Sequence, residues 1–445
     1  MTLNGLKMNM ESEIKPKADD SSTMMNASLR AVIMFTCANI FSYQAFSNGI
    51  VLLYLKALGI SEARLLVYIT IPAFFLTVFR IPIAFFADSV GKKKLGYIGI
   101  ITGFIGFLVI FSASFAPPGI NELVVVGGIL LFSCGAVVTA AGWFALLDGV
   151  IHKDIRGRFF GKMRQSWQMT GVVFSGVVSW LMMLVPGIGA FRIILGIISF
   201  FAFIRLFLYM RIPEVVKPRP PRKGAFAILL DIVRSDGVAS FGAYVFLLTF
   251  FTSNAPSLFS LTEKEFIGLS NSFVVALATL TLIGSIAGYC LGGQAVDRFG
   301  TKPVFMICHL SYPAVFAIYI FRGVFPVSIL PPLIIAHFLF GMVIASASIA
   351  ITTEMLALLP KNDKSVASSL LVSFQLGGGA AAGFVCAGIV RMAFLKSTWT
   401  FHLLELNKYD TILLGCAVMV LMLVLTLGLV PSVLRGKSES LPALR

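Results

Sequence analysis

The sequence predicts an all-α polytopic membrane protein: twelve transmembrane helices arranged as two pseudo-symmetric six-helix bundles. Three observations carry this. Charged residues make up only 12% of the 445-residue chain against 58% hydrophobic, with mean hydropathy +0.93. A soluble domain carries about 25% charged residues, so most of this surface must be solvated by lipid. The apolar runs are long enough for about a dozen spans of roughly 20 residues each, and they do not alternate with polar residues, which selects helices over a β-barrel. Finally, polar landmarks of the first half recur in the second at a nearly constant offset.

Taken in order, residues 1–28 are polar and of mixed charge, without an apolar core or small-residue cleavage site, and read as a flexible cytoplasmic tail. Six spans follow near 31–57, 63–87, 95–115, 122–148, 162–186 and 190–212, giving an N-terminal bundle over 29–212. Residues 211–224 read RIPEVVKPRPPRKG, basic and Pro-rich, and 213–236 form a linker that cannot span. Six more spans near 238–260, 268–296, 303–321, 328–358, 366–393 and 410–433 make a C-terminal bundle over 237–434, and 435–445 is a second cytoplasmic tail.

Net charge is +15. With both termini cytoplasmic, 24 Lys and Arg fall on the inner side and 8 on the outer, leaving Arg80, Arg205 and Arg211. That bias is positive-inside sorting. It places the protein in the cytoplasmic membrane, and nucleic acid drops out as a partner. The cysteines Cys37, Cys134, Cys290, Cys308, Cys386 and Cys416 are scattered in apolar runs without metal or redox spacing.

The repeat is seen in four ordered pairs. Asp88 and Asp297 are 209 residues apart, Ser47-Asn48 and Ser253-Asn254 are 206 apart, Gln168 with Gly171 and Gln375 with Gly378 are 207 apart, and Asp148 and Glu354 are 206 apart. Repeated halves with equivalent hinges are the mark of a rocking transporter.

The hinge after span two reads AFFADSVGKKK, and its counterpart after span eight reads GGQAVDRFGTK. The pattern Gly-x-x-x-Asp-x-x-Gly-basic-basic resembles the conserved loop of the major facilitator superfamily. Ala84, Asp88, Gly91, Lys92 and Lys93 fill the first copy, with Ala in place of the first Gly. Gly293, Asp297, Gly300 and Lys302 fill the second, with Thr301 at a usually basic position. The resemblance covers nearly the whole chain and implies that fold and alternating access. It also implies that Asp88 meets the start of span eleven near Ser365–Ser369. Span five lacks the Gly-Pro-rich signature of the family's drug antiporters, and Pro213-Glu214 is not followed by the Ser-Pro-Arg of sugar porters.

A carboxylate at a helix C-terminus faces the negative end of the dipole and needs cationic partners. Asp88, with Lys92 and Lys93, and Asp148, with Arg158 and Arg164, are therefore expected to form a cytoplasmic gating latch, mirrored by Asp297, Arg298, Lys302 and Glu354 around Gly91 and Gly300. The bland alternative is solvated topogenic charge around two tight turns.

Polar residues within spans cost free energy unless they face partners or water. Gln44, Asn48, Trp143, Gln168, Asn254, His337 and Gln375 are the expected substrate-cavity residues, against the alternative of interhelical hydrogen bonds. Arg80 is the anomalous charge: it binds an anionic substrate group, pairs with a carboxylate such as Asp148, or snorkels. No Asp or Glu falls well inside spans one, seven, eight or eleven, which leaves His337 as the titratable candidate for proton coupling.

No nucleophile elbow, zinc motif or phosphate loop is present, so the chain is expected not to be an enzyme and to need no cofactor, metal or catalytic residue. The expected activity is secondary active or facilitative transport of a small polar organic solute by a monomer in the lipid bilayer, with a proton or cation as the coupling option. Two alternatives stand beside it: a transporter-shaped scaffold or assembly factor for a membrane complex, and efflux of amphipathic compounds.

Overall fold

The computed structural model describes residues 18–151, 156–214, 225–235, 237–324, 328–358, 364–392, 395–401 and 404–426; within these, the side chains of 18–26, 87–89, 144–145, 148–149, 156–158, 160–161, 225–228, 356 and 364–368 lie outside the description. Helices α1 (Ala18–Ser47) and α2 (Ile50–Ala57) together make span one. They are followed by α3 (Glu62–Val90), α4 (Lys92–Ser112), α5 (Asn121–Val150), α6 (Arg156–Leu184) and α7 (Ile188–Met210). A short helix, α8 (Ala225–Arg234), lies within the linker segment. Span seven comprises α9 (Val238–Thr252) and α10 (Ala255–Leu261), and α11 (Asn271–Phe299), α12 (Thr301–Ile320), α13 (Leu330–Leu358), α14 (Lys364–Met392) and α15 (Lys408–Thr426) complete the C-terminal half. Among the described residues ten helical stretches are long and apolar enough to cross a membrane; α1 with α2, and α15, bring the layout to twelve.

Spans meet where side chains are absent. In the N-terminal half Gly99 faces the Gly135 carbonyl and Gly106 faces that of Gly128, so α4 and α5 leave no room for a Cβ between them. In the C-terminal half Gly284, Gly288 and Gly292 recur every fourth residue on α11 and lie on Phe338, Met342 and Ser346 of α13. Lipid gives no hydrophobic drive to helix pairing, so close backbone contact of this kind supplies the dispersion that holds spans together. Ser346 adds a hydrogen bond to the Gly288 carbonyl at 3.0 Å.

The halves meet through two helix pairs, α3 with α14 and α6 with α11. The repeat exchanges these pairs, since span two corresponds to span eight and span five to span eleven. Thr70 of α3 sits under Gly383 of α14, and Phe74 stacks edge-on against Phe384 with centroids 5.6 Å apart. The glycine run Gly377-Gly378-Gly379 is a two-sided packing surface. Gly377 faces Thr77 of α3, while Gly378 and Gly379 face Phe246, Thr249 and Ser253 of α9.

Both hinges are glycine turns with positive φ, 104° at Gly91 and 86° at Gly300. A side chain there would strain the backbone, so the two acidic-Gly-basic motifs are reversal points between adjacent spans. The face of the molecule that carries them is called here the hinge end, and the opposite face the distal end. At the distal end the connection between α14 and α15 is an antiparallel hairpin, β1 (Thr398–Phe401) with β2 (Leu404–Asn407), in which Trp399 pairs with Leu406.

Candidate functional site

Spans one and seven are both broken, and at equivalent places. α1 stops at Ser47 and α2 starts at Ile50, with Gly49 between them at φ 72°. α9 stops at Thr252 and α10 starts at Ala255, with Asn254 in the cap position. The Ser47-Asn48 and Ser253-Asn254 landmarks of the sequence repeat are these breaks. A broken span frees backbone groups and side chains for a ligand at depth.

Above the breaks the distal half-helices close on each other. Gly49 packs on Ser260 of α10, where an added Cβ would lie 3.1 Å from the hydroxyl. At the distal rim Lys56, in the last turn of α2, forms an ion pair with Glu265, which follows α10. Lys408 at the start of α15 pairs with Glu62 at the start of α3. Ser179 of α6 and Ser272 of α11 exchange hydrogen bonds, each hydroxyl donating to the other's carbonyl at 2.9 and 2.7 Å. All of these contacts join the two halves. A depression of about 510 Å³ on this face is lined by Lys56, Glu62 and Lys408 with Gly59–Ala63 and Val390. From sequence these charges serve only as the minority outer count; the pairing depends on helix ends brought together from opposite halves.

The hinge end is tied differently. The Lys92 backbone N–H donates to Glu214 at 2.8 Å, and Lys93 donates to the Met210 carbonyl at 2.9 Å, so the start of α4 is capped by the end of α7. Thr301 donates to Glu354 at 2.9 Å, an equivalent tie inside the C-terminal half. Lys92, Asp297, Arg298 and Glu354 have further partners. Arg164 lies over the Tyr289 ring at 5.9 Å, a contact between halves. Lys302 is half-buried, and the side chains of Asp88, Asp148 and Arg158, like residues 365–368, lie outside the described set.

The expected cavity residues do not form one constellation. Asn48 donates to Ser175 of α6 at 2.6 Å, a buried bond within the N-terminal half. Trp143 packs on Phe35 and Tyr209, with centroids 4.8 and 6.5 Å away, in the hinge-end core. Gln44 is fully buried beside Gly171, and neither of its amide atoms has a partner. Gln168 is buried too, at 7% exposure. Asn254 has an unpartnered Nδ2, and the Gln375 backbone carbonyl accepts from Thr249 at 2.8 Å. Tyr43 packs on Trp167 and is 52% exposed, so the face that α1 and α6 present on the hinge side of the break is open. Arg80 is 8% exposed and its Nε lacks a hydrogen-bond partner.

His337 is elsewhere, near the distal end of the C-terminal half. Its Nε2 lies 2.7 Å from Glu263 Oε1 and its Nδ1 3.0 Å from the Thr281 hydroxyl. Glu263 lies beyond residue 260, the bound expected for span seven, at the distal end of the longer helical stretch Val238–Phe266. Three charges in Thr262-Glu263-Lys264-Glu265-Phe266 read as a loop after residue 260, but the helix continues there as a π turn, closed by the Ile267 N–H on the Thr262 carbonyl. The turn points Glu263 inward, with no exposure at all, and leaves Glu265 at the rim. Beside it Arg322 makes a bidentate pair with Asp410, at 2.7 and 2.8 Å, both residues buried. The hairpin delivers that aspartate: Asn407 Oδ1 caps α15 through the N–H groups of Tyr409 and Asp410. The described hairpin strands thus lead into a buried polar network.

Comparison with known proteins agrees with this architecture. The family model for the Major Facilitator Superfamily matches residues 32–383. No curated protein sequence matches the chain. Among solved structures, the nucleoside transporter NupG is similar at 14% identity and TM-score 0.64, covering 91% of this chain and 98% of its own. A POT family transporter in complex with 5-aminolevulinic acid is similar at 11% identity and TM-score 0.71, covering 91% and 96%. The xylose transporter XylE from E. coli, in a partially occluded inward-open conformation, is similar at 13% identity and TM-score 0.65, covering 90% and 98%. With twelve spans in two repeated bundles and a family match over most of its length, this chain belongs to the Major Facilitator Superfamily and is a multi-pass membrane transporter.

Proposed function

We propose that the protein moves a small polar organic solute, neutral or zwitterionic, across the cytoplasmic membrane by alternating access, and that the fold described is its distal-closed state. The observation that carries the reading is the pair of broken spans, one in each half at equivalent positions, sealed on the distal side by contacts between the halves. A rigid scaffold gains nothing from matched breaks beneath a polar seal. A transporter needs both, because the solute site must open to each side in turn.

Positive-inside counting makes the hinge end cytoplasmic, so the sealed face is the outer one. The solute then binds between the halves on the hinge side of the breaks, near Tyr43, Gln44, Trp167, Asn254 and Gln375. Amides, hydroxyls and aromatic rings predominate there, which suits a hydroxyl-rich or zwitterionic molecule. Gln44 and Asn254 hold unpartnered amide groups for it. Gly91 and Gly300 let adjacent spans shift while Asp88 and Asp297, with their basic neighbours, form the latch of the opposite, hinge-closed state.

A thermal-shift screen of the purified protein tests this reading. The panel is nucleosides, pentoses and hexoses, amino acids, 5-aminolevulinic acid, dipeptides, organic acids and cationic amphiphiles. One polar class should stabilise the protein and should then be taken up by proteoliposomes. Stabilisation by no member of the panel would transfer weight to a scaffold.

A further inference from the structure

The π turn after α10 carries two carboxylates with opposite tasks. Glu265 latches the C-terminal half to Lys56 of the N-terminal half, while Glu263, two residues earlier, points into the C-terminal half and meets His337. We infer that Glu263 and His337 form a proton-binding site whose occupancy decides whether the distal gate can close. The inference rests on the alternating-access reading above and names the ion that gates the distal side of that cycle.

The argument is one of charge balance in a dry place. Glu263 is 0% and His337 2% exposed, and the pair is walled by the Phe259 ring, 5.2 Å from the imidazole, and by Tyr319. The charged and titratable groups that face it can be enumerated. Tyr319 shares its hydroxyl proton between the Phe259 carbonyl at 3.0 Å and Glu263 Oε1 at 3.3 Å. Arg322 stands over the Tyr319 ring at 5.3 Å and is neutralised by Asp410. On the rim, Lys56 is matched by Glu265 and Lys408 by Glu62, while Lys264 turns to the Leu269 carbonyl. Every buried charge near the pair is therefore cancelled from within its own partnership. The pair must also be neutral when it is sealed from water.

It is neutral with one proton only. An ionised Glu263 with a neutral His337 leaves a net negative charge, and a protonated acid beside an imidazolium leaves a net positive one. Either is strongly disfavoured without solvent. With one proton, held between Oε1 and Nε2 at 2.7 Å, the charges cancel and the hydrogen bond is kept whichever atom holds it. Glu263 Oε2 has no partner in the closed state, which leaves a place for water when the gate opens.

The geometry links this to the latch. Glu263 and Glu265 share one π turn, so an opening that hydrates Glu263 through this turn also loosens the backbone that holds Glu265 against Lys56. A pair that has lost its proton, or gained a second, is stabilised by that opening and shifts the population towards the distal-open state. Loading one proton from the distal side allows closure, and losing it to the same side allows reopening, so the occupancy of this site gates the distal face.

The test needs no solute. In a variant with its six native cysteines replaced, spin labels are placed at Ala57 and Ser397, both exposed at the distal end, and in a second sample at Lys162 and Phe299, both exposed at the hinge end. Distance distributions are recorded from about pH 5 to about pH 9, the range over which a histidine–carboxylate pair is probed. The distal-closed fraction of the parent should pass through a maximum, with the open-to-closed ratio changing about fivefold or more on each side, the lower end of coupling between linked sites. Glu263→Gln should remove the alkaline limb and keep the acid one, since the variant has no carboxylate left at this site. His337→Gln should do the reverse, and the double variant should be flat. These amides keep the hydrogen-bonding capacity, and a monodisperse elution profile checks folding. A flat parent profile overturns the proton site while alternating access stands, provided Lys56→Gln still widens the distal distances. If neither label pair moves under any condition, including Lys56→Gln with Lys408→Gln, alternating access itself fails.

Discussion

Arg322 shows how far one residue's role depends on another distant in sequence. As a lone basic residue between spans nine and ten it contributes only to the topology count. In the fold it is 4% exposed and clamped on Asp410, 88 residues later. Removing one member of a buried pair strands the other's charge and costs about 3–5 kcal/mol. Arg322→Met should accordingly lower thermal stability sharply in lipid nanodiscs, and adding Asp410→Leu should restore much of the loss. A single variant that unfolds within about 1 kcal/mol of the parent would mean that the pair is hydrated. Gln44 poses the opposite case. It is a buried amide without partners, an arrangement costing roughly 1–3 kcal/mol, beside a glycine that leaves it room. Gln44→Met should leave stability unchanged or raised while solute uptake falls. If stability drops together with uptake, the side chain is holding the fold and not waiting for solute.

At the scale of the element, the breaks in spans one and seven matter more than the spans. Gly49 adopts a left-handed backbone conformation, and an added Cβ would crowd Ser260. Gly49→Ala should cost about 1–2 kcal/mol from the backbone alone, and the crowding falls on the distal-closed state. We therefore expect slower uptake and greater labelling by a membrane-impermeant reagent of a cysteine placed at Ser260, which is buried against Gly49 in the closed state. Unchanged labelling would mean that the half-helices do not close as a gate. The existence of each span was legible in its apolar run, and the repeat marked the break positions as Ser-Asn pairs. The breaks themselves were not legible, because neither Ser47-Asn48 nor Ser253-Asn254 carries a strong helix-stopping residue in both copies. The π turn was hidden for a related reason: three charges in five residues are a loop signal unless a histidine from another span receives one of them.

For the whole molecule, the two exchanged helix pairs and the distal seal make a single testable statement about motion. The Ser179 and Ser272 hydroxyl oxygens are 3.2 Å apart across the halves. In a cysteine-free background, Ser179→Cys with Ser272→Cys should cross-link under mild oxidation, abolish transport, and recover it with reductant. Each single variant should transport normally throughout. Transport that survives full cross-linking would show that the halves need not separate at this face. Such a lock holds the distal-closed state, so the hinge end should stay reactive to labels while transport is blocked.

By itself the sequence determined that the chain is helical, spans a membrane, repeats, and is built as a Major Facilitator protein. Lipid leaves no other choice for so apolar a chain, since every backbone group must be satisfied within a helix, and two copies of one hinge motif mark two copies of one bundle. It also made glycine necessary at Gly91 and Gly300, where the chain reverses between adjacent spans. Only the tertiary structure decided which polar residues act together. Lys56 with Glu265, Lys408 with Glu62, His337 with Glu263 and Arg322 with Asp410 are separated by 74 to 346 residues or cross from one half to the other. No local pattern encodes such pairs. They arise because packing brings helix ends into one dry layer, where each charge must find its opposite or be excluded.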